Sequence, residues 1–205
     1  MKKLVLFLVL SLLSVSIQAQ DFTPPYYIVG KLYPGYVVLT DGTKIEGYLE
    51  ALPQASDDLL ASTNQNKVIF YTDPKSRKTK KVYKPTDLKS YRIDDKEYIT
   101  LNYGGLGKAL NFVLLTKKGR IDTFTWYEYN TDKGQFEGKI VLRKADEKPL
   151  DMSYFLLGFA KKMSEYIADY ELLASKVSAK AKGFGLLNVL DIIAEYNEWY
   201  AKNNP

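Results

Sequence analysis

Asp94, Asp95 and Glu97 form the densest acid cluster in the chain. Three carboxylates so close together could supply oxygen ligands to a hard cation, or the acid and base of a carboxylate mechanism. They fall between two β-rich runs, where a solvated hairpin turn accounts for them, and the spacing of a calcium loop is absent. Asp57-Asp58 reads as the cap of a single helical turn. Gly104-Gly105-Leu106-Gly107-Lys108 superficially resembles a phosphate-cradling loop. It lacks the G-x-x-x-x-G-K-[ST] spacing and a strand follows it, so it reads as a connector. The chain contains neither His nor Cys. That removes Ser-His-Asp triads, HExxH zinc sites, thiolate ligands, cysteine nucleophiles and disulfides. The expectation is therefore a protein with no catalytic residue, no metal and no cofactor.

Two further groups point to binding. Lys75, Arg77, Lys78, Lys80 and Lys81 lie between Tyr71 and Tyr83 with no acid among them. Such a segment is either a solvated hairpin tip or a contact for an anionic surface: lipid headgroups, lipopolysaccharide phosphates or an acidic protein. Trp126, Tyr127 and Trp199 are candidates for stacking on a sugar or a partner. Sheets and amphipathic helices use the same side chains as core or cover. Alternation along a strand sends Tyr127 and Tyr129 one way and Trp126 the other.

The segments that would position these groups begin with a leader. Lys2 and Lys3 precede an apolar run from Leu4 to Val15, and Ala19 offers a small residue for cleavage before Gln20. A membrane anchor needs about 20 apolar residues; this run is shorter and is followed at once by polar residues and Pro. Loss of Lys2 and Lys3 lowers the formal charge from +5 to +3, too little to argue for nucleic acid. The 186 residues left from 205 are ample for one buried core. Export through the Sec pathway follows, with periplasmic residence expected and outer-membrane association or release left open.

Residues 20–34 read as an extended lead-in, and 35–145 as an antiparallel β unit. Asp41-Gly42 suggests a two-residue turn that sets Val38 opposite Ile45 and Tyr36 opposite Gly47. Further hairpins are expected across 73–78, 94–97 and 117–119, with a last strand at 139–144. Residues 53–66 read as a polar loop. The segment 37–48 echoes 113–124, which either marks a duplicated β unit or reflects what any strand–turn–strand looks like. From 151 the period turns helical: Phe155, Phe159, Met163, Tyr166 and Ile167 form a stripe. Asp169 and Asn188 are placed to cap two more helices, the last carrying Val189, Ile192, Ile193, Tyr196, Trp199 and Tyr200 on one side. The fold class is α+β: a curled antiparallel sheet, or two small β units, followed by about three helices over 151–202.

Four segments occur in a suggestive order: G-Y-V-V-L-x-x-G-x-x-I-x-G-Y at 35–48, K-x-x-Y-x-P-x-D-L-K at 80–89, D-Y-x-L at 169–172 and E-Y-N at 195–197. With the leader they resemble a family of uncharacterised exported proteins common in Bacteroidota, where the third segment runs D-Y-x-E-L. The resemblance implies export and architecture and carries no activity. The functional expectation is a non-enzymatic envelope protein that binds a macromolecular partner or anionic surface. The alternatives are a carboxylate-dependent enzyme acting on a glycan and a structural component of an outer-membrane complex. The leader reading has a direct check. Intact mass of protein recovered from the envelope should correspond to a chain starting at Gln20; retention of Lys2 and Lys3 would refute it.

Overall fold

The computed structural model describes residues 27–58, 61–104, 109–145 and 147–204. The leader, the first part of the lead-in, and Gly105 and Gly107 lie outside the described residues. Ten strands follow in chain order: β1 (Leu32–Leu39), β2 (Lys44–Glu50), β3 (Val68–Tyr71), β4 (Lys80–Tyr83), β5 (Leu88–Ile93), β6 (Lys96–Asn102), β7 (Leu110–Lys117), β8 (Ile121–Asn130), β9 (Gln135–Lys144) and β10 (Leu150–Asp151). They make one antiparallel sheet in the order β10-β9-β8-β7-β6-β5-β1-β2-β3-β4. Of the two arrangements expected, the single sheet is the one observed. The lead-in is shorter than expected, because β1 already begins at Leu32.

The first hairpin differs from the expected register by one residue. Val37, not Val38, faces Ile45, and Gly35 faces Gly47. The Leu39 amide donates to the Thr43 carbonyl at 2.9 Å, which leaves Thr40-Asp41-Gly42 as a three-residue loop. Gly42 takes the left-handed position at φ +94°, and the Asp41 carboxylate accepts the Thr43 amide at 2.8 Å. A type I turn closed by a left-handed glycine satisfies the same Asp-Gly pair as a two-residue turn would.

Register places Val37, Tyr91, Tyr98 and Leu114 in one row across β1, β5, β6 and β7. All four are buried. The segment that covers this inner face is the stretch expected to be a polar loop. Ala51, Gln54, Ala55, Thr63, Asn64 and Gln65 are buried. Tyr98 donates its hydroxyl to Gln54 Oε1 and Tyr91 donates to the Asn64 carbonyl, both at 2.5 Å. A buried loop must satisfy its polar groups internally. Asn64 contributes by pairing its side-chain amide with both the N–H and the C=O of Leu52, at 3.2 and 2.9 Å.

The same device recurs twice on β8. The Ala145 amide bonds the Arg120 carbonyl, so the alternation of an antiparallel ladder turns the peptide groups of Ile121, Thr123, Thr125 and Tyr127 away from β9. Thr123 and Thr125 meet β7 there. Continuing that register would set Phe112 opposite Tyr127. Instead Gln65 stands between them. Its carbonyl accepts the Phe112 amide at 2.8 Å. Its side chain accepts the Tyr127 amide at 2.8 Å and donates to the Tyr127 carbonyl at 2.7 Å. At the other end, Asn197 accepts the Ile121 amide at 2.8 Å and donates to the Ile121 carbonyl at 2.9 Å.

Asn197 belongs to the helical part: α1 (Ser153–Leu156), α2 (Phe159–Tyr166), α3 (Glu171–Ser178) and α4 (Val189–Asn203). The expected stripe through Phe155 and Met163 is split between α1 and α2 by Gly158 at φ +77°. Phe155, Met163, Ile167, Leu173, Val177, Ile192, Ile193 and Tyr196 form a second core with Ile121 and Leu142 of the sheet. Neither expected cap residue bonds its side chain to the helix it would cap. Tyr170 occupies the cap position of α3, and Asn188, the last residue of a 3-10 turn, precedes α4 without a side-chain cap bond. The Asp169 carboxylate bonds elsewhere, as described below. The echoing segments fall on β1–β2 and β7–β8. Val37 joins the inner core, whereas its counterpart Val113 lies with Phe124 and Val141 on the other side. The echo thus places equivalent residues on opposite faces.

Gln65→Leu and Asn197→Leu each strand one N–H and one C=O of β8. At about 1–3 kcal/mol per orphaned group, either variant should lose about 2–5 kcal/mol in urea unfolding. A loss below about 0.5 kcal/mol, the scale of an ordinary surface substitution, would show that β8 does not depend on them.

Candidate functional site

The residues of the motif segments are mostly consumed by the fold. A Cβ on Gly35 would come within 1.9 Å of the Arg92 carbonyl oxygen, and one on Gly47 within 2.5 Å of the Phe70 ring. Asp87 accepts the Lys84 amide at 2.8 Å, and Leu88 is buried. Tyr196 and Lys144 both hold Asp169, at 2.6 and 2.7 Å. Asn197 pins α4 to β8. These side chains do structural work, and they leave the surface to other residues.

Of the aromatic candidates one is buried and two are half-buried. Tyr127 is 3% exposed within the inner core, which leaves its ring no face for a ligand. Trp126 packs edge-on against Tyr103 and beneath Gly104, whose missing Cβ would stand 2.7 Å from the indole. Trp199 stacks on Tyr170 with ring centres 4.4 Å apart. Among the acids first considered, Asp94 takes a left-handed turn position at φ +53° and Asp95 pairs with Lys96 at 2.9 Å. Among the described residues no three acidic side chains converge.

The carboxylates with displaced titration lie apart from that turn. Burial works against ionisation of Asp169, but the bonds from Lys144 and Tyr196 outweigh it and hold its carboxyl below the ordinary range. Asp151 follows the same pattern: burial opposes ionisation, while the Tyr103 hydroxyl and the Ser153 amide overcome it. Each of these carboxylates accepts a hydrogen bond from a tyrosine.

The basic segment forms the β3–β4 hairpin, and the fold braces it. Asp73 accepts the Lys75 amide at 2.9 Å, and Thr79 accepts the Asp73 amide at 3.2 Å while donating to the Ser76 carbonyl at 2.9 Å. Arg77, after Ser76, opens a 3-10 turn. Its guanidinium reaches back to the Tyr71 hydroxyl at 3.0 Å and Glu50 at 3.4 Å, and Tyr71 itself donates to Glu50 at 2.7 Å. Arg77 is therefore a structural tie, although the sequence groups it with the lysines. Lys75, Lys78, Lys80 and Lys81 are exposed and enter none of the ion pairs among the described residues. β4 lies at the sheet's edge, with a neighbour only in β3. Lys81 pairs with Phe70, and Lys80 pairs with Tyr71, so the two project to opposite faces of that edge.

The topology adds Lys67, which local density does not reveal, and sets it beside Lys84. Lys84 and Lys67 line an open cleft of about 460 Å³ with Val82, Pro85 and Leu110. Lys67 comes from the end of the buried loop, where its ammonium donates to Ser62 at 3.1 Å. The basic surface thus continues from the hairpin tip along β4 to the start of β7. No protein-family model matches the chain, and neither a curated protein nor a solved structure is significantly similar to it.

The lowered Asp169 titration gives a signed expectation. Its contribution is complete above the unfolded carboxylate value near 4 and disappears as pH falls through the lower folded value. The stability gap between the native chain and Asp169→Asn, measured by thermal melts, should therefore narrow from about pH 5 to about pH 2. A gap that stays constant or widens on acidification would refute the assignment.

Proposed function

We propose that the chain is a non-enzymatic binding module of the cell envelope. It contacts an anionic surface through the β3–β4 hairpin. The observation that carries this reading is the set of four exposed lysines without counter-ions on a hairpin braced by Asp73, Thr79 and the Arg77–Tyr71–Glu50 tie. A solvated tip has no need of that bracing, whereas a rigid hairpin holds its charges in place before contact and loses less entropy on binding. The leader supports export, and with it an encounter with phosphate-bearing envelope surfaces.

The magnitude is modest. Each lysine near an anionic membrane contributes about 1 kcal/mol, so four give weak, salt-sensitive attachment. Sedimentation with anionic vesicles should pellet the processed chain at low salt and release it at high salt. Lys78→Glu/Lys80→Glu/Lys81→Glu should weaken the low-salt pellet and reduce its salt sensitivity without changing the melting temperature. Equal pelleting of both proteins, or of neither, would overturn the hairpin as a lipid contact.

A further inference from the structure

The helical end bears apolar side chains that the second core does not use. Two connections meet there. One is Leu157-Gly158, between α1 and α2. The other runs from Lys180 at φ +54° through Gly183 at φ +86° to the 3-10 turn Leu186–Asn188. Between them lies an open groove of about 1030 Å³, with Gly158 and Phe159 on one wall and Gly183, Phe184 and Leu187 on the other. Leu156 is 58% exposed, Leu157 82% and Leu187 97%. The neighbouring Phe155, Met163, Val177 and Val189 are already buried, so the three leucines are surplus to packing.

Charge is distributed around them in a definite way. Lys161 and Lys180 line the groove, and Glu165 is the one acid among its described lining residues. Lys182 is exposed beside it. Lys162 is held by the Tyr154 carbonyl at 2.7 Å and Lys176 by Glu195 at 3.3 Å, which leaves Lys161, Lys180 and Lys182 uncommitted.

We propose that this face docks on an anionic bilayer, with Leu157 and Leu187 entering the headgroup–acyl boundary and Lys161, Lys180 and Lys182 meeting lipid phosphates. Protruding apolar side chains ringed by lysine are the composition that interfacial attachment requires. Leu156 and Leu157 are exposed but do not line the groove, so a small ligand seated there would leave them uncovered, whereas a broad surface covers them together with Leu187. A second copy of the chain would oppose the same lysines to one another with Glu165 as the acid between them, a repulsive arrangement. The proposal is independent of the hairpin reading, since it rests on different residues and on apolar insertion.

Because the chain has no Cys, one introduced thiol can be labelled cleanly. The processed chain carrying Leu187→Cys, labelled with a nitrobenzoxadiazole fluorophore, is mixed with phosphatidylglycerol–phosphatidylcholine vesicles. The emission should shift to the blue and brighten. The same label on Lys78→Cys should stay solvent-like. The shift at 187 should persist in the Lys78→Glu/Lys80→Glu/Lys81→Glu background. Leu157→Asp in the labelled chain, with an unchanged melting temperature, should lower the vesicle partition coefficient about tenfold. Pelleting of the labelled protein without any shift at 187 would overturn this proposal and leave the hairpin reading standing. Neither pelleting nor shift would overturn both. A shift equal on pure phosphatidylcholine vesicles would overturn the role given to the lysines.

Discussion

The fold depends on how the free peptide groups of β8 are satisfied. That strand joins the two cores: β9 occupies one of its edges completely, and the other edge receives β7 only at its middle. A strand edge left bare inside a protein loses two hydrogen bonds, one N–H and one C=O, at every second residue. Here Asn197 closes the Ile121 end and Gln65 the Tyr127 end. Both side chains present an amide, which is chemically a peptide group on a short stem. Each therefore replaces one rung of a missing strand. Gln65 also bridges the gap between β7 and β8 beyond their paired residues, while the loop at 51–66 packs on the inner core and the helices pack on Ile121 and Leu142.

This arrangement explains which parts of the fold are legible from residues in order. Strand and helix positions follow local pattern, and the hairpins after 35 and the stripe of α4 appear where alternation and period place them. The register at Asp41-Gly42 is ambiguous because the same dipeptide fits a two-residue turn and a three-residue loop; cross-strand packing of Val37 on Ile45 decides it. Residues 53–66 read as solvent-exposed because Gln, Asn, Ser and Thr are mostly surface residues. They are interior because Gln54, Asn64 and Gln65 find partners as far as 62 positions away. Asp169 and Asn188 have the composition of helix caps, and tertiary partners or a preceding 3-10 turn take that role from them.

The candidate site divides along the same line. Density of lysine is a local property and is visible at once in 75–81. The role of Arg77 is not local, since Glu50 comes from β2 and Tyr71 from the far side of the hairpin. Lys67 joins Lys84 in the basic surface because the β3–β4 register, with Val68 opposite Tyr83, sets the end of the loop beside the end of β4. Trp126, Tyr127 and Trp199 have the residue types of a stacking platform; Tyr127 is buried in the inner core, and the half-buried Trp126 and Trp199 rings pack against Tyr103 and Tyr170.

The position of the lysines at an edge gives them a second physical role. A free β-strand edge is a template for pairing with another chain, and lysine is the usual means of preventing it. β4 presents four residues to β3, and its outer side would recruit a further strand if it were apolar and flat. Lys80 and Lys81, projecting to opposite faces, oppose such pairing from both sides. Edge protection accounts for those two. It does not account for Lys75 and Lys78, which stand in the connection beyond the ladder, nor for the polar bonds that fix that connection. Charge required only to block an edge would be carried on the paired residues. Charge extended past them, on a braced turn, fits a surface that approaches the tip end-on.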